Sequence, residues 1–550
     1  MREPSAEPWS AALREPAVTG QRLVRAASTP EEEGTLELLR GSIEKLAPRI
    51  DSGSIDRQGK IPEAVVEAAR QAGLFALTID EAHGGLGLSL KATTDVIERM
   101  ARVDRSVAVM LGLHSGLGTR GLIRYGSAEQ KARWLPRLAA GEDIASFAAT
   151  EAGAGSDLMA VETCGVKVPG GLRVNGRKCY VTNGGFAGLY TILARTPDSG
   201  GPRAQSLLCI PRSSPGVQIG PEEDKLGIRG SSTITLDLED VFVPDDAVLG
   251  EPGHGSDHCN HVLAWGRSLM SAGCLGIARA ALTLSLGHVT TRRQFGRTLS
   301  AFPLVQAQCA DMAAQIYAME SLVRLATDAE SDPQRLELLS ILAKVLCSEG
   351  AFLVADRSIQ LHGALGFLES TGAPRLLRDC RITRIFEGAN DVLLVRTGAA
   401  LLASGKTDLP AALAPRIAPS LRDAAAACDT LLQQRQATID AIRKSHGLSV
   451  MRKQAVLWAL GQAEVCTGAA VASLLRGGAD TDATNLALAE HAACMFTQQA
   501  GEQLAAAREP RNETRMQRAQ ALSDLLYAPY APRTPSQNPR SRTRSQESPA

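Results

Sequence analysis

The chain has 550 residues, 44% of them hydrophobic, with 59 Lys and Arg against 59 Asp and Glu. At roughly 150 residues per domain, that length predicts about three to four domains with apolar material for large cores. The balanced charge excludes the basic footprint of a dedicated nucleic-acid binder. The most apolar stretch, Ser268 to His288, is interrupted by Arg279, so no membrane span is expected. The first residues lack an apolar segment and carry Glu3, Glu7 and Glu15. They read as neither a secretory signal nor an acid-poor transit peptide, and a cytoplasmic protein is expected. Eleven cysteines occur without a C-x-x-C pair. Reduced, mostly buried thiols are expected, rather than disulfides or a Cys-based zinc site.

In chain order, residues 1–34 mix Pro, Glu, Arg and Ala without periodicity and read as disordered. Residues 35–144 read as a helical domain: Leu36, Leu38, Leu39, Ile43 and Leu46 recur near helical spacing. Pro62 to Gly73 reads as a short helix, and Gly84, Gly85 and Gly87 mark a tight loop. Over 145–252, short runs such as Tyr190-Thr191-Ile192-Leu193 and Thr233-Ile234-Thr235-Leu236 alternate with Gly, Pro, Asn and Asp, the pattern of an antiparallel β domain. Helical periodicity returns over 253–404, and a further Ala- and Leu-rich helical region fills 405–530. Residues 531–550 hold four Arg, four Pro and four Ser, and read as a disordered, solvated basic tail. The fold class is α+β, mainly α.

Five stretches carry chemistry. Ala148 to Asp157 places Thr150, Glu151, Gly153, Gly155 and Ser156 in a small-residue loop whose backbone a ligand could approach closely, although such a loop alone is usually a turn. Lys178-Cys179-Tyr180-Val181-Thr182-Asn183-Gly184-Gly185 follows, then Arg292-Arg293-Gln294-Phe295-Gly296. Gln360-Leu361-His362-Gly363-Ala364-Leu365-Gly366 precedes Arg375 and Asp379, and Arg384-Ile385-Phe386-Glu387-Gly388-Ala389-Asn390-Asp391 closes the set. Taken alone, Glu387 reads as an ion-pair partner of Arg384 or Arg381. A rival cluster, His254, Asp257, Cys259, His258 and His261, has the composition of a zinc or nickel site but lies where a loop enters a helix, and no metal is expected.

Together, in this order, the five stretches resemble the signatures of the acyl-CoA dehydrogenases over roughly residues 35 to 525. The R-I-F-E-G-x-N-D form and the extra C-terminal region resemble the very-long-chain subgroup. The resemblance implies N-terminal helices, a middle β-barrel, a four-helix bundle and an appended helical domain. It implies FAD as cofactor, an acyl-CoA substrate in fatty-acid β-oxidation and an electron-transferring flavoprotein as acceptor. Glu387 stands at the position of the base that removes the α-proton while the β-hydrogen passes as hydride to flavin N5. Gly266, at the alternative base position, cannot serve. Arg267 and Gly388 stand by the thioester, and Ser156 where pyrophosphate and CoA approach. Thr150, Tyr180 and Thr182 match the isoalloxazine contacts, with Tyr180 in place of Trp. Arg292 and Gln294, with Gln360, Gly363 and Ala364, match groups that complete the flavin site of an adjacent subunit, which implies a homodimer. Ala389, Asn390 and Asp391 match the phosphate–adenine region, Ala389 lacking the usual Thr hydroxyl. Val107 to His114 reads as the helix at the far end of the acyl pocket. Ala108 and Gly112, four apart, imply an open floor and a long acyl chain. Alternatives are an acyl-CoA oxidase that uses O₂ and a scaffold that keeps the fold for assembly. Amphipathic segments near Lys444 and Lys453 either pack on the body or touch a membrane surface.

Overall fold

The computed structural model describes residues 29–404 except 202, residue 417, residues 419–508 except 481, and residues 518–520 and 522–523. Residues 1–28 and the basic tail lie outside the described residues. The first helix, α1 (Pro30–Leu46), begins inside the stretch whose composition suggests disorder. Thr29 accepts a hydrogen bond from the Glu32 amide, Pro30 sits in the first turn, and Glu31, Glu32 and Glu33 meet the positive end of the helix dipole. These local signals outweigh the stretch's polar composition because Leu36, Leu39, Ile43 and Leu46 also bury one face.

Helices α2 (Ser52–Gln58), α3 (Glu63–Gln71), α4 (Leu90–Val103) and α5 (Arg105–Leu113) follow. A π-turn over His114–Gly118 leads into α6 (Thr119–Tyr125), and α7 (Ala128–Ala139) is closed at its start by a Ser127/Gln130 capping box. Buried His114 fixes the π-turn: its Nδ1 accepts from the Ala145 amide at 3.0 Å and its Nε2 lies 3.1 Å from the Phe75 carbonyl. Burial pulls its pKa down to about 4, so it stays neutral.

The middle domain is one sheet. Its strands are β1 (Ala145–Ala148), β2 (Cys164–Val168), β3 (Gly171–Thr182), β4 (Leu189–Arg195), β5 (Gln205–Pro211), β6 (Val217–Glu222), β7 (Thr233–Pro244) and β8 (Val248–Leu249). The order is β6-β7-β3-β2-β4-β5-β8, with β1 beside β4. The strand pattern suggests wholly antiparallel pairing, but β1 and β2 each run parallel to β4. The sheet is therefore mixed. β1 arrives directly from the helical domain, and its direction is set by that docking rather than by a hairpin.

The remaining helices are α8 (Gly255–Thr291), α9 (Pro303–Thr327), α10 (Pro333–His362), α11 (Ala373–Arg381) and α12 (Asn390–Ser404). A two-residue-strand hairpin, β9 (Arg293–Gln294) and β10 (Arg297–Thr298), separates α8 from α9. The appended region consists of α13 (Arg422–His446), α14 (Gln454–Gly477) and α15 (Ala483–Arg508). Helices from the N-terminal, C-terminal and appended regions share one apolar core, while the strand domain has its own. Glycines let α12 and α14 meet at the backbone: a Cβ at Gly398 would overlap Leu457, and one at Gly461 would overlap Leu394. Three helical segments, Gly255–Thr291, Pro333–Phe367 and Gln454–Gly477, are long and apolar enough to cross a membrane. Between 67% and 78% of their most apolar windows is buried inside the protein, so their apolarity serves these cores. All eleven cysteines are free.

One ion network ties three regions together. Glu320 on α9 accepts from Arg279 on α8 at 2.6 Å, Arg324 at 2.6 Å and Arg476 on α14 at 2.8 Å, and Arg279 also pairs with Glu98 on α4. Burial would push the Glu320 carboxyl up, but the three guanidiniums outweigh it and hold it well below the usual range. Its contribution to stability is present above the unfolded-state pKa and is lost as pH falls toward the depressed folded value. Glu320→Gln leaves those guanidiniums undercompensated and should cost on the order of 3 kcal/mol in urea unfolding at neutral pH. A loss below about 1 kcal/mol, the worth of an exposed pair, would contradict this role.

Candidate active site

The loop after α11 presents Glu387. Its backbone has φ 55° and Gly388 has φ 102°, two successive left-handed residues that turn the chain sharply. For Glu this conformation is strained and must be imposed by the surroundings. Lys344, buried on α10, donates to the Gly388 carbonyl at 2.7 Å and to Asn390 Oδ1 at 2.6 Å. Arg267 on α8 donates from Nε to the Glu387 carbonyl at 3.0 Å. Asn390 also donates to Ser348 and Glu349. The loop is thus gripped through its backbone, and the Glu387 side chain is left unengaged.

Glu387 Oε2 is buried and has no hydrogen-bond partner. A Cβ at Gly266 would stand 2.8 Å from it, so α8 passes directly beneath the carboxylate. Desolvation pushes its pKa up to about 7, against the pull of Arg267, Lys344 and Arg105. Arg384 does not pair with Glu387; it binds Glu349, with contacts at 2.9 and 2.8 Å. Arg267 is not a surface residue but a buried one whose Nη1 is also without a partner. Burial also lowers Lys344, to about 8.

The strand domain supplies a second set. The Cys179 amide donates to the Thr150 carbonyl at 2.9 Å, and Ser146 donates to the Thr182 carbonyl at 2.6 Å. Buried Lys178 donates to Glu151 at 2.7 Å and to the Ala149 carbonyl at 3.1 Å, locking the small-residue loop against β3. A register shift against β7 between Lys178 and Val181 makes a bulge that turns Tyr180 outward, 67% exposed. Ser156 is exposed, and a Cβ at Gly153 or Gly155 would meet nothing within 4 Å. An aromatic face, an open glycine loop and partnerless buried groups on α8 and the base loop fit a flavin and a thioester. Asn183 reaches from the end of β3 to the Met110 carbonyl on α5 at 2.9 Å, coupling this strand to the N-terminal helices.

Other expected site residues fall elsewhere. Gly266 and Arg292 are separated by on the order of 40 Å along α8. Arg292 and Gln294 are exposed, and His288 stacks on His362 with ring centroids 4.4 Å apart, which brings Arg292 and Gln294 near Gln360, Gly363 and Ala364. This group therefore lies far from Glu387 of the same chain. Asn390 faces inward to Lys344, Ser348 and Glu349, so its side chain positions the loop. Asp391 accepts from Trp458 of the appended region at 3.0 Å, and Ala389 is half-buried. Ala108 is buried, while Val109, Gly112 and Leu113 on α5 are partly exposed. Among the described residues no group of three or more His, Cys, Asp or Glu is placed to hold a metal. His258 stacks on Tyr125 at 3.9 Å, His261 meets the Tyr125 hydroxyl at 2.8 Å, and Cys259 is buried.

Two functional residues escape the motif reading. Lys344 interrupts the apolar run Ile341 to Cys347, and a lone Lys in such a run was the available signal. Arg105 begins α5 as a buried cation.

Models of the acyl-CoA dehydrogenase N-terminal, middle and C-terminal domains match residues 29–142, 146–241 and 253–402. The chain belongs to the acyl-CoA dehydrogenase family. It is 36% identical over 376 residues to a probable acyl-CoA dehydrogenase, FadE25, of Mycobacterium tuberculosis, covering 68% of this chain and 96% of that one. It is 34% identical over 351 residues to the very long-chain specific acyl-CoA dehydrogenase of Bos taurus, covering 62% of this chain. The match spans only 54% of that relative's length. An acyl-CoA dehydrogenase of Bacillus anthracis, solved in complex with FAD, superposes with a TM-score of 0.78 at 26% identity, over 92% of this chain and 91% of that one. This last likeness includes the appended helices.

Lys344→Met should raise the Glu387 pKa, because the ammonium favours the carboxylate, and so move the acid limb of activity to higher pH. It should also lower kcat/KM about tenfold or more, since a buried charged hydrogen bond to the loop is lost, worth ~1.5–3 kcal/mol. An unchanged acid limb in the pH profile would remove Lys344 from the site.

Proposed function

We propose that this protein catalyses FAD-dependent α,β-dehydrogenation of an acyl-CoA to the trans-2-enoyl-CoA, with Glu387 as base. The observation that carries the reading is the buried, partnerless Glu387 Oε2 with its pKa near 7. A general base works best when its pKa lies near the working pH, and a carboxylate without hydrogen bonds is free to accept a carbon-bound proton. Arg267, a buried cation with an open Nη1, offers a donor toward the thioester carbonyl, where negative charge develops as the α-proton leaves. When bound, FAD supplies the two-electron acceptor for the β-hydrogen. Thr150, in the loop after β1, accepts from the Cys179 amide, and Thr182, at the end of β3, accepts from Ser146; both are placed to contact its ring, and Tyr180 offers a face to stack on it. An electron-transferring flavoprotein is the proposed acceptor; an oxidase would instead yield peroxide without an added acceptor. A pure scaffold has no use for a strained, desolvated carboxylate, so assembly is not the primary role.

The group around Arg292 and Gln360 completes the flavin site of a second copy. Phe295 is 90% exposed and Phe367 83%, with Leu304, Leu365 and Leu368 also exposed, an apolar surface beside these polar groups that suits a homodimer. Phe295→Glu should therefore yield monomer in sedimentation and release flavin together; an intact dimer would contradict the face assigned.

Glu387→Gln should fold, keep FAD and bind acyl-CoA while losing nearly all turnover. A tenth or more of wild-type activity remaining would overturn the assignment. In the wild-type protein, kcat/KM should rise with pH through about 7 as Glu387 ionises, and a profile flat between pH 5.5 and 8.5 would contradict the raised pKa.

A further inference from the structure

Asp379 stands on α11, eight residues before Glu387, and is only 4% exposed. It accepts a hydrogen bond from the Ile228 amide at 2.5 Å. Ile228, in the loop between β6 and β7, is buried and has φ 49°. A β-branched residue in the left-handed region is strained, and such strain persists only where the surroundings impose it. The acid is costly as well. Burial, with Asp104 and Asp56 nearby, pushes its carboxyl up to about 7 against the pull of the Ile228 amide and Arg375. A strained residue and a desolvated acid both weaken a fold, so their meeting at one contact points to a use other than stability.

The loop that carries Ile228 is seized from two sides. A Cβ at Gly227 would overlap the Arg378 carbonyl of α11, and one at Gly230 would overlap Ile55 of α2. Arg378 donates to the Asp56 carboxylate of α2 at 3.0 and 2.6 Å and to the Leu226 carbonyl at 3.0 Å. Arg229 donates to the Asp56 carbonyl at 3.0 Å. One strap thus ties the N-terminal, middle and C-terminal regions together. Both of its ends lead to the reacting centre. After α11, Thr383 donates to the Cys380 carbonyl at 2.6 Å, and the Ile385 and Phe386 amides donate to the Ile382 carbonyl at 2.8 and 3.1 Å. Hydrogen bonds therefore run from α11 to the residue before Glu387. After Ile228, the Ser232 carbonyl accepts from the Asn183 amide at 3.0 Å, and Thr233 pairs with Thr182 of β3. Asp379 joins the base loop to the strand that carries Tyr180 and Thr182.

We propose that Asp379 is a positioning residue: its hold on the Ile228 amide sets Glu387 against the flavin-facing strand β3, so that α-proton removal and hydride transfer share one geometry. The proposal rests on the reading of Glu387 as the base. The two C–H bonds that break lie on adjacent carbons, so base and flavin must be registered to each other as well as to the substrate. A misplacement of about 1 Å can cost on the order of a hundredfold in rate. Lys344 and Arg267 grip the base loop from its other side. Without Asp379 the carboxylate therefore stays in the pocket but loses its registry with the sheet.

The test uses the holoenzyme and hexadecanoyl-CoA without oxygen, and reads flavin bleaching and uptake of solvent deuterium at the α-carbon separately. Asp379→Ala should slow flavin reduction at least tenfold while α-exchange falls less than threefold, with flavin content and KM nearly unchanged. Asp379→Asn, which keeps an acceptor for the Ile228 amide, should restore flavin reduction to within threefold of wild type. A merely structural role would lower both rates and flavin content by one common factor, and that result overturns the proposal. So does an Ala variant that reduces flavin at more than half the wild-type rate, or an Asn variant no better than Ala. If Asp379→Ala does not fold, Asp56→Asn weakens the same strap from α2 and must show the same split between the two rates; equal losses, or none, overturn the proposal. In Glu387→Gln both rates should collapse. Exchange that survives there refutes the base alone, while the split in Asp379→Ala still decides the registry.

Discussion

The structure turns on a carboxylate that is buried and left without a hydrogen bond. Desolvation raises the Glu387 pKa, and the cations Arg267, Lys344 and Arg105 pull it down. The protein sets the two against each other. Arg267 and Lys344 spend their hydrogen bonds on the loop backbone rather than on the carboxylate, so they stabilise its charge through space without occupying its lone pairs. The left-handed turn at Glu387 and Gly388 makes this geometry possible, and the Lys344–Asn390–Glu349–Arg384 chain, buried at Lys344 and Asn390, holds that turn in place.

Most of the architecture positions this one group. α8 runs beneath the base at Gly266, receives Arg105 at Gly273 and carries Arg292 at its far end. One continuous helix therefore passes Glu387, Arg105 and the exposed group around Arg292. The Glu320 network and the glycine contacts between α12 and α14 dock the appended helices onto this frame. Trp458 extends that docking to within one residue of Asn390 through its bond to Asp391.

Motifs point to residues proposed to meet the ligand, here Glu387, Arg267, Thr150, Tyr180 and Thr182. They are weaker for residues that act through another group. Asn390 lies within a signature yet faces inward, because the short turn before α12 gives its side chain only the interior to reach. Lys344 lies outside every signature, and its role depends on α10 packing against a loop more than forty residues away in sequence.

The sequence by itself determined the helical and strand regions and the family, because each is encoded in local patterning or in ordered motifs. The tertiary structure decided that β1 and β2 run parallel to β4, that Arg384 binds Glu349 instead of Glu387, and that Arg105 is buried without a partner. The physical reason is common to all three. A charge or a strand has several partners compatible with its local sequence, and only packing determines which of them comes within a hydrogen bond's reach and which is left facing empty space.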